Sequence, residues 1–216
     1  MKFRAVIFDL DGALANTLED IADNMNLVLS EMGFPTHGYD AYRFFVGDGL
    51  KNLVARSLPE NAGTDDMLAT CLDRMIAIYH LNFVNKTHLY NGIPELLDAL
   101  SSKGVKMAVL SNKADPLTQK ICAVLLKPWK FEIVIGATER FPRKPDPASA
   151  LFIAEQMGVK PTDICYIGDS DVDMKTAIAA GFYPVGVSWG FRPKEELAEN
   201  GAKRIIDDPV ELLEIF

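Results

Sequence analysis

Two carboxylates one residue apart, Asp9 and Asp11, close the apolar run Val6-Ile7-Phe8 and are followed at once by Gly12. Much later in the chain, Ser111-Asn112-Lys113, Lys144 and the stretch Gly168-Asp169-Ser170-Asp171-Val172-Asp173 also come at or just beyond the ends of apolar runs. An apolar run that stops at polar residues reads as a buried parallel strand whose carboxyl end meets solvent, where open α/β sheets bind ligands. A carboxylate nucleophile, a second carboxylate, a hydroxyl with backbone donors, a lysine and an acidic cluster together are the equipment for phosphoryl transfer. Attack of an aspartate on phosphorus gives an aspartyl-phosphate and splits ester hydrolysis into two displacements. Two anions meet in the first of them, which calls for a fixed ammonium and a divalent cation. Hard Mg²⁺ suits carboxylate, carbonyl and water ligands. Paired carboxylates repel unless a cation or strong donors stand by, and otherwise one takes up a proton, which suits it to general-acid work.

Each feature has a blander reading. A calcium loop of the EF-hand type also begins Asp-x-Asp, but it wants glycine where Leu14 stands and glutamate where Asp20 stands. Asp11-Gly12 alone is a serviceable turn, Ser111 a cap, Lys144 a solvated lysine and Asp173 a charge on an early helical turn. Phe45-Val46-Gly47-Asp48-Gly49-Leu50-Lys51 is a glycine-rich loop running into a helix, readable as a helix start capped by Asp48 or as a close approach to a ligand.

The elements that must position these groups follow from periodicity. Residues 105–110, 131–135, 164–167, 183–187 and 204–206 join the first run as strand candidates. Helices are expected through Ile21, Met25, Val28 and Met32 to a stop at Gly33, and over residues 48–58 and 65–83. Others are expected from Pro94 toward Gly104, from Asp115 through Leu125, through Leu151, Ala154 and Met157, and from Asp173 toward Gly181. Strands alternating with helices imply a parallel sheet with right-handed crossovers and helices on both faces. All strand tips then point one way, so Asp9, Ser111, Lys144 and Asp169 are expected to converge. Residues 15–86 carry helical periodicity with little strand signal and are expected to form a separate helical insert.

A chain of 216 residues can bury a sizeable core, and its net charge of −8 argues against nucleic acid or an anionic membrane as partner. Whatever phosphate it binds must be caught locally. Cys71, Cys122 and Cys165 follow no metal-ligand spacing and read as reduced core residues, and His37, His80 and His88 are scattered. Lys2 and Arg4 precede an apolar run that reaches Asp9 too early for a signal peptide, and no stretch is long enough to span a bilayer. A cytoplasmic monomer or homodimer is expected.

Taken in order, these residues resemble the four motifs of the haloacid dehalogenase superfamily in its phosphatase branch, over essentially the whole chain. The first motif is Asp9-Leu10-Asp11-Gly12, the second Ser111-Asn112, the third Lys144, and the fourth Gly168-Asp169-Ser170 with Asp173. The resemblance implies an α/β fold, a Rossmann-like parallel sheet with helices on both faces, formed by residues 1–14 and 87–216. It implies a helical cap of the C1 class formed by residues 15–86. It also implies that Asp9 is the nucleophile and that Asp11 protonates the leaving alcohol and then deprotonates water. Mg²⁺ would be bound by the Asp9 carboxylate, the Asp11 carbonyl and Asp169, with Asp173 supporting from behind or through a water. Ser111 and the Asn112 amide would hold the phosphoryl oxygens and Lys144 would offset their charge. Within the cap, Gly47, Gly49 and Lys51 would contact substrate. The chain departs from the family in carrying Ala13 where a threonine or another β-branched residue is usual.

The arrangement is also similar to phosphoglycolate phosphatases, including the Ser-Asn-Lys form of the second motif, which implies a small phosphorylated metabolite as partner. A pyrophosphatase or a sugar-phosphate phosphatase or mutase shares the motifs. A dehalogenase does not need the acid Asp11, and a phosphate-sensing regulator lacks a helical lid.

Overall fold

The computed structural model describes residues 3–216; Met1 and Lys2, the latter one of the basic residues ahead of the first apolar run, lie outside the described residues. In chain order, Ala5–Phe8 is β1 and Ala15–Asn16 is β2. Four helices follow, Leu18–Glu31 (α1), Tyr39–Phe45 (α2), Leu50–Ser57 (α3) and Asp65–Tyr79 (α4). His88–Leu89 is β3, Ile93–Ser102 is α5, Lys106–Ala114 is β4, Asp115–Leu125 is α6, Ile133–Ala137 is β5 and Ala148–Met157 is α7. Ile164–Gly168 is β6, Asp171–Ala179 is α8, Tyr183–Val187 is β7, Lys194–Glu199 is α9 and Arg204–Ile206 is β8.

Among the described residues the main sheet has six strands in the order β5-β4-β1-β6-β7-β8, and every pairing in it is parallel. The chain builds outward from β1 through β4 and β5 on one side and through β6, β7 and β8 on the other, so β1 lies at a topological switch point. A ligand crevice belongs beyond its carboxyl end. Phe8 pairs with Val109 on β4 and with Ile167 on β6, which aligns the three tips that bear the polar segments. Helices cover both faces, so β1 is buried at every position and reads as a continuous apolar run rather than an alternating one. Ile7, Leu110, Ile153, Tyr166, Ala177 and Phe182 belong to one buried cluster that joins the sheet to α7 and α8.

The described residues fall into two compact units, residues up to Asn16 with Leu89–Phe216, and Thr17–His88. The two-stranded sheet of β2 and β3 lies where the chain passes from one unit to the other. No helix of the described residues is long and apolar enough to cross a membrane. In the helical unit, Ile21, Met25, Val28 and Leu29 of α1 and Cys71, Met75 and Tyr79 of α4 are buried at the spacing of one helical face.

Four local outcomes differ from the periodicity. Strand β4 runs on through Ser111-Asn112-Lys113 to Ala114, with its pairing to β5 slipping between Leu110 and Ala114. Such a bulge re-aims side chains at a strand end. Helix α4 stops at Tyr79 rather than Phe83, and α2 has too few buried positions, Tyr42 alone, to stand out by pattern. Helix α3 is capped by Gly49 at φ 86°, because the Asp48 carboxylate pairs with Arg56 instead of the helix start.

Asp20, on the first turn of α1, is buried, and its carboxylate accepts the backbone N–H groups of Lys86 at 3.0 Å and Thr87 at 2.8 Å. Asp20→Ala leaves those donors without an acceptor, at a cost of about 1–3 kcal/mol. Hydrogen exchange of the Lys86 and Thr87 amides is expected to accelerate in that variant; unchanged protection would contradict the assignment.

Candidate active site

Asp9 follows β1 directly, and its N–H donates to Ile167 O at 2.8 Å, so the strand ladder itself sets where its side chain leaves the sheet. Asp9 Oδ1 is buried without a hydrogen-bond partner, although Lys144 Nζ lies 2.9 Å away. The contact has ion-pair distance without hydrogen-bond alignment, so it holds charge and leaves the oxygen's lone pairs uncommitted. Lys144 Nζ donates instead to Asp173 Oδ1 at 2.7 Å and to Leu110 O at 3.2 Å.

Asn112 fixes the backbone of Lys144 from both sides. Its Nδ2 donates to Lys144 O at 3.1 Å, and its Oδ1 accepts from Lys144 N at 2.9 Å. The side-chain amide is thereby committed to the lysine, and any phosphoryl contact from Asn112 falls to its main-chain N–H. Ser111 Oγ accepts from Lys113 N at 3.2 Å, which leaves its hydroxyl proton to donate. Lys113 Nζ lies 3.2 Å from Asp11 Oδ1, with both side chains largely buried.

The fourth segment is held as tightly. Asp173 is fully buried on the first turn of α8, where its Oδ2 accepts from Ser170 Oγ at 2.6 Å and Ser170 N at 3.2 Å. Asp169 Oδ2 accepts from Phe191 N at 2.6 Å. A Cβ on Gly12 would come within 2.1 Å of that same Oδ2, so only glycine lets the first turn lie against Asp169.

Burial raises the Asp9 carboxyl from the ordinary 3.8 to about 7; the Lys144 ammonium pulls it down, while Asp173 and Asp11 push it further up. Burial also pushes Asp169 well above the usual carboxylate range, reinforced by Asp173 and Asp9 and opposed by the Phe191 N–H and Arg192. Burial works against the charge on Lys144, yet Asp173 and Asp9 outweigh it and hold the ammonium well above its ordinary value. Tyr166 completes the lysine's surroundings, with its ring 5.8 Å from Nζ and its hydroxyl 3.4 Å from both Leu110 O and Asp173 Oδ1.

Asp9, Asp169 and Asp173 offer carboxylate oxygens that all lie within 4.8 Å of one another. Three buried carboxylates face one ammonium, the donors are all hard oxygens, and Asp9 Oδ1 has no hydrogen bond to give up. That set fits a hard divalent cation. Asp9 and Asp169 are the side chains that would hold it. Asp173 already serves Lys144 and Ser170 and acts from behind.

The core unit thus brings together Asp9, Asp11, Ser111, Asn112, Lys144, Asp169 and Asp173. Gly47, Gly49 and Lys51 belong to the helical unit, in the turn between α2 and α3 and on α3 itself. Gly47 and Gly49 have φ of 128° and 86°, Lys51 is exposed, and Arg56 steadies the turn by pairing with Asp48 and donating to Phe45 O at 3.1 Å. Sequence reasoning missed Tyr166, the side chain of Asn112 as a bracket, and the contact of Phe191 with Asp169. The available signal for the last was that Trp189-Gly190-Phe191 comes just beyond another strand end, that of β7.

Comparison with known proteins finds one family. A family model described as haloacid dehalogenase-like hydrolase matches residues 6–187. A phosphoglycolate phosphatase of Pseudomonas syringae pv. tomato is 34% identical over 215 residues, covering 95% of this chain and 76% of the relative. One from Haemophilus influenzae is 30% identical and covers 100% of this chain and 99% of its own. Among solved structures, one from Lactobacillus delbrueckii subsp. bulgaricus, described as a candidate phosphoglycolate phosphatase, superposes with a TM-score of 0.92. It is 28% identical, with 99% of this chain and 98% of that chain covered.

An acid whose carboxyl is raised in the fold contributes stability that is full below its unfolded pKa and lost as pH rises through the folded one. For Asp9 that window runs from 3.8 to about 7, and Asp169 shifts in the same direction. A divalent cation binds only the ionised carboxylates, so its stabilisation must grow as pH rises. The gain in Tm on adding Mg²⁺ is expected to be larger at about pH 8 than at about pH 5, as read by calorimetry. An equal gain at both would contradict the site.

Proposed function

We propose that this chain, which belongs to the haloacid dehalogenase-like hydrolase family, hydrolyses a small phosphomonoester through an aspartyl-phosphate on Asp9, with Mg²⁺ as its cation. The observation that carries the reading is Asp9 Oδ1, buried, without a hydrogen bond and 2.9 Å from a lysine ammonium. It combines an uncommitted nucleophilic oxygen with a fixed positive charge for the phosphoryl group it attacks.

In the first displacement a carboxylate oxygen of Asp9 forms a bond to phosphorus as the bond to the ester oxygen breaks, and Asp11 gives its proton to the departing alcohol. In the second, Asp11 takes a proton from water, the water oxygen bonds to phosphorus, and the Asp9–phosphorus bond breaks. One carboxyl serves as acid and then base, and both half-reactions conserve protons. The Ser111 hydroxyl and the Asn112 N–H hold the phosphoryl oxygens, while Lys144 balances their charge. When bound by Asp9, the Asp11 carbonyl and Asp169, Mg²⁺ supplies the electrostatic neutralisation that lets two anions approach.

The helical unit would act as the cap, with Gly47, Gly49 and Lys51 selecting a small anionic leaving group and excluding bulk water. The phosphoglycolate phosphatases among the relatives support 2-phosphoglycolate as the substrate. A cytoplasmic enzyme, monomeric or homodimeric and acting on a free metabolite rather than on nucleic acid or membrane, fits the net charge of −8.

Asp9→Asn is expected to lower kcat by on the order of 10³-fold or more while circular dichroism stays native, because the amide keeps the shape without the anion. Exhaustive chelation is expected to abolish turnover, and Mg²⁺ to restore it. Near-normal activity in either case would sink the mechanism. Comparison of kcat/KM across 2-phosphoglycolate, a glucose phosphate, a nucleoside monophosphate and pyrophosphate should favour the first. Preference for the nucleotide or for pyrophosphate would refute the substrate assignment alone.

A further inference from the structure

The chain beyond β7, Ser188-Trp189-Gly190-Phe191, contributes no side chain to the chemistry proposed above, yet it grips both acidic segments. Trp189 Nε1–H donates to Ala13 O at 3.0 Å, two residues after Asp11. Two residues beyond the indole, Phe191 N–H donates to Asp169 Oδ2 at 2.6 Å. Gly190 lies flat against Asp169 between them, since a Cβ there would come within 2.2 Å of Asp169 Cβ.

The clip is anchored at its base. Ser188 N–H donates to Ile206 O at 3.0 Å and Phe191 is buried. The Trp189 ring lies 6.4 Å from that of Tyr90, whose N–H donates to Leu14 O at 3.1 Å. The turn after Asp11 is otherwise tied by backbone bonds, Gly12 N to Ala15 O at 2.9 Å, and Leu14 N and Ala15 N to Leu10 O at 3.2 Å and 2.9 Å. Ala13 is buried, and its carbonyl accepts the indole N–H.

We propose that Trp189 is a positioning residue: its indole N–H and the neighbouring Phe191 N–H hold the turn of Asp11 and the carboxylate of Asp169 at one fixed separation. The inference rests on the roles proposed above for those two aspartates. An indole suits the task because it carries one donor on a large body with few rotatable bonds, and its packing against Tyr90 fixes the donor's direction. Loss of the N–H leaves the Ala13 carbonyl unpaired and the turn free to shift. A small displacement of a proton donor costs turnover more than substrate binding.

Trp189→Phe keeps a ring and removes the donor. With 2-phosphoglycolate, kcat is expected to fall about tenfold or more while KM stays within about twofold. The Mg²⁺ concentration that gives half of the rise in Tm is expected to increase in the same variant. A fall in Tm with kcat and the Mg²⁺ midpoint both unchanged would reduce Trp189 to packing and overturn the proposal.

Trp129, whose indole donates to Asp98, is the chain's second tryptophan. In Trp129→Phe the remaining emission reports Trp189 alone, and it is expected to change on Mg²⁺ addition with the midpoint seen in Tm. This measurement needs no turnover and decides the matter if Trp189→Phe fails to fold. Emission that ignores Mg²⁺ while Tm responds would overturn the clip. If no phosphomonoester is turned over, the proposed function fails, and the emission titration still judges the clip.

Discussion

Lys144 Nζ sits 2.9 Å from Asp9 Oδ1 and 2.7 Å from Asp173 Oδ1, with 2% of its side chain exposed. Neither carboxylate could remain ionised at that depth alone, because burying an unpaired charge costs more than the fold can spare. The ammonium makes the pair tolerable without making it neutral. Asp169 adds a third buried carboxylate, and the upward shifts of Asp9 and Asp169 come first from burial, with the neighbouring carboxylates adding to it. A divalent cation held there would supply the complement and let an anionic phosphoryl group approach.

Everything around the lysine serves to keep that arrangement from relaxing. Parallel strands deliver Asp9 and Asp169 from adjacent tips, because β1 and β6 pair in register up to Phe8 and Ile167. Lys144 comes from a loop, which has no ladder to hold it, and the Asn112 amide supplies one by pairing with its N–H and carbonyl. Asp173 is held by the Ser170 hydroxyl and N–H at the start of α8. In each case a polar side chain from one segment fixes another segment, so the geometry depends on several elements folding together.

The core of this design was legible in the sequence because it depends on short-range pattern. Apolar runs that end in Asp9, Ser111 and Asp169 announce buried strands with polar tips, and alternation with helices implies their parallel arrangement. What escaped depends on long-range pairing. The extension of β4 through Lys113 is decided by its bulged register with β5. The role of the Asn112 side chain depends on a residue 32 positions away, and that of Phe191 on one 22 positions away. Tyr166 looked like any aromatic in a core strand, since nothing in its neighbours says that a buried lysine lies over its ring. Of the two readings of the Gly47-Asp48-Gly49 loop, the one with Asp48 as helix cap does not hold, because Gly49 takes that place and Asp48 pairs with Arg56 at the far end of the same short helix.

The claim on which the rest depends is that Asp9 carries the phosphoryl group between the two displacements. Rapid acid quenching during turnover of 2-phosphoglycolate, followed by mass spectrometry of the peptide that contains Asp9, tests it most directly. The account predicts a phosphoryl adduct on Asp9 that appears and decays within the turnover time. Its absence throughout turnover, or an adduct on another residue such as Asp169, would contradict the account.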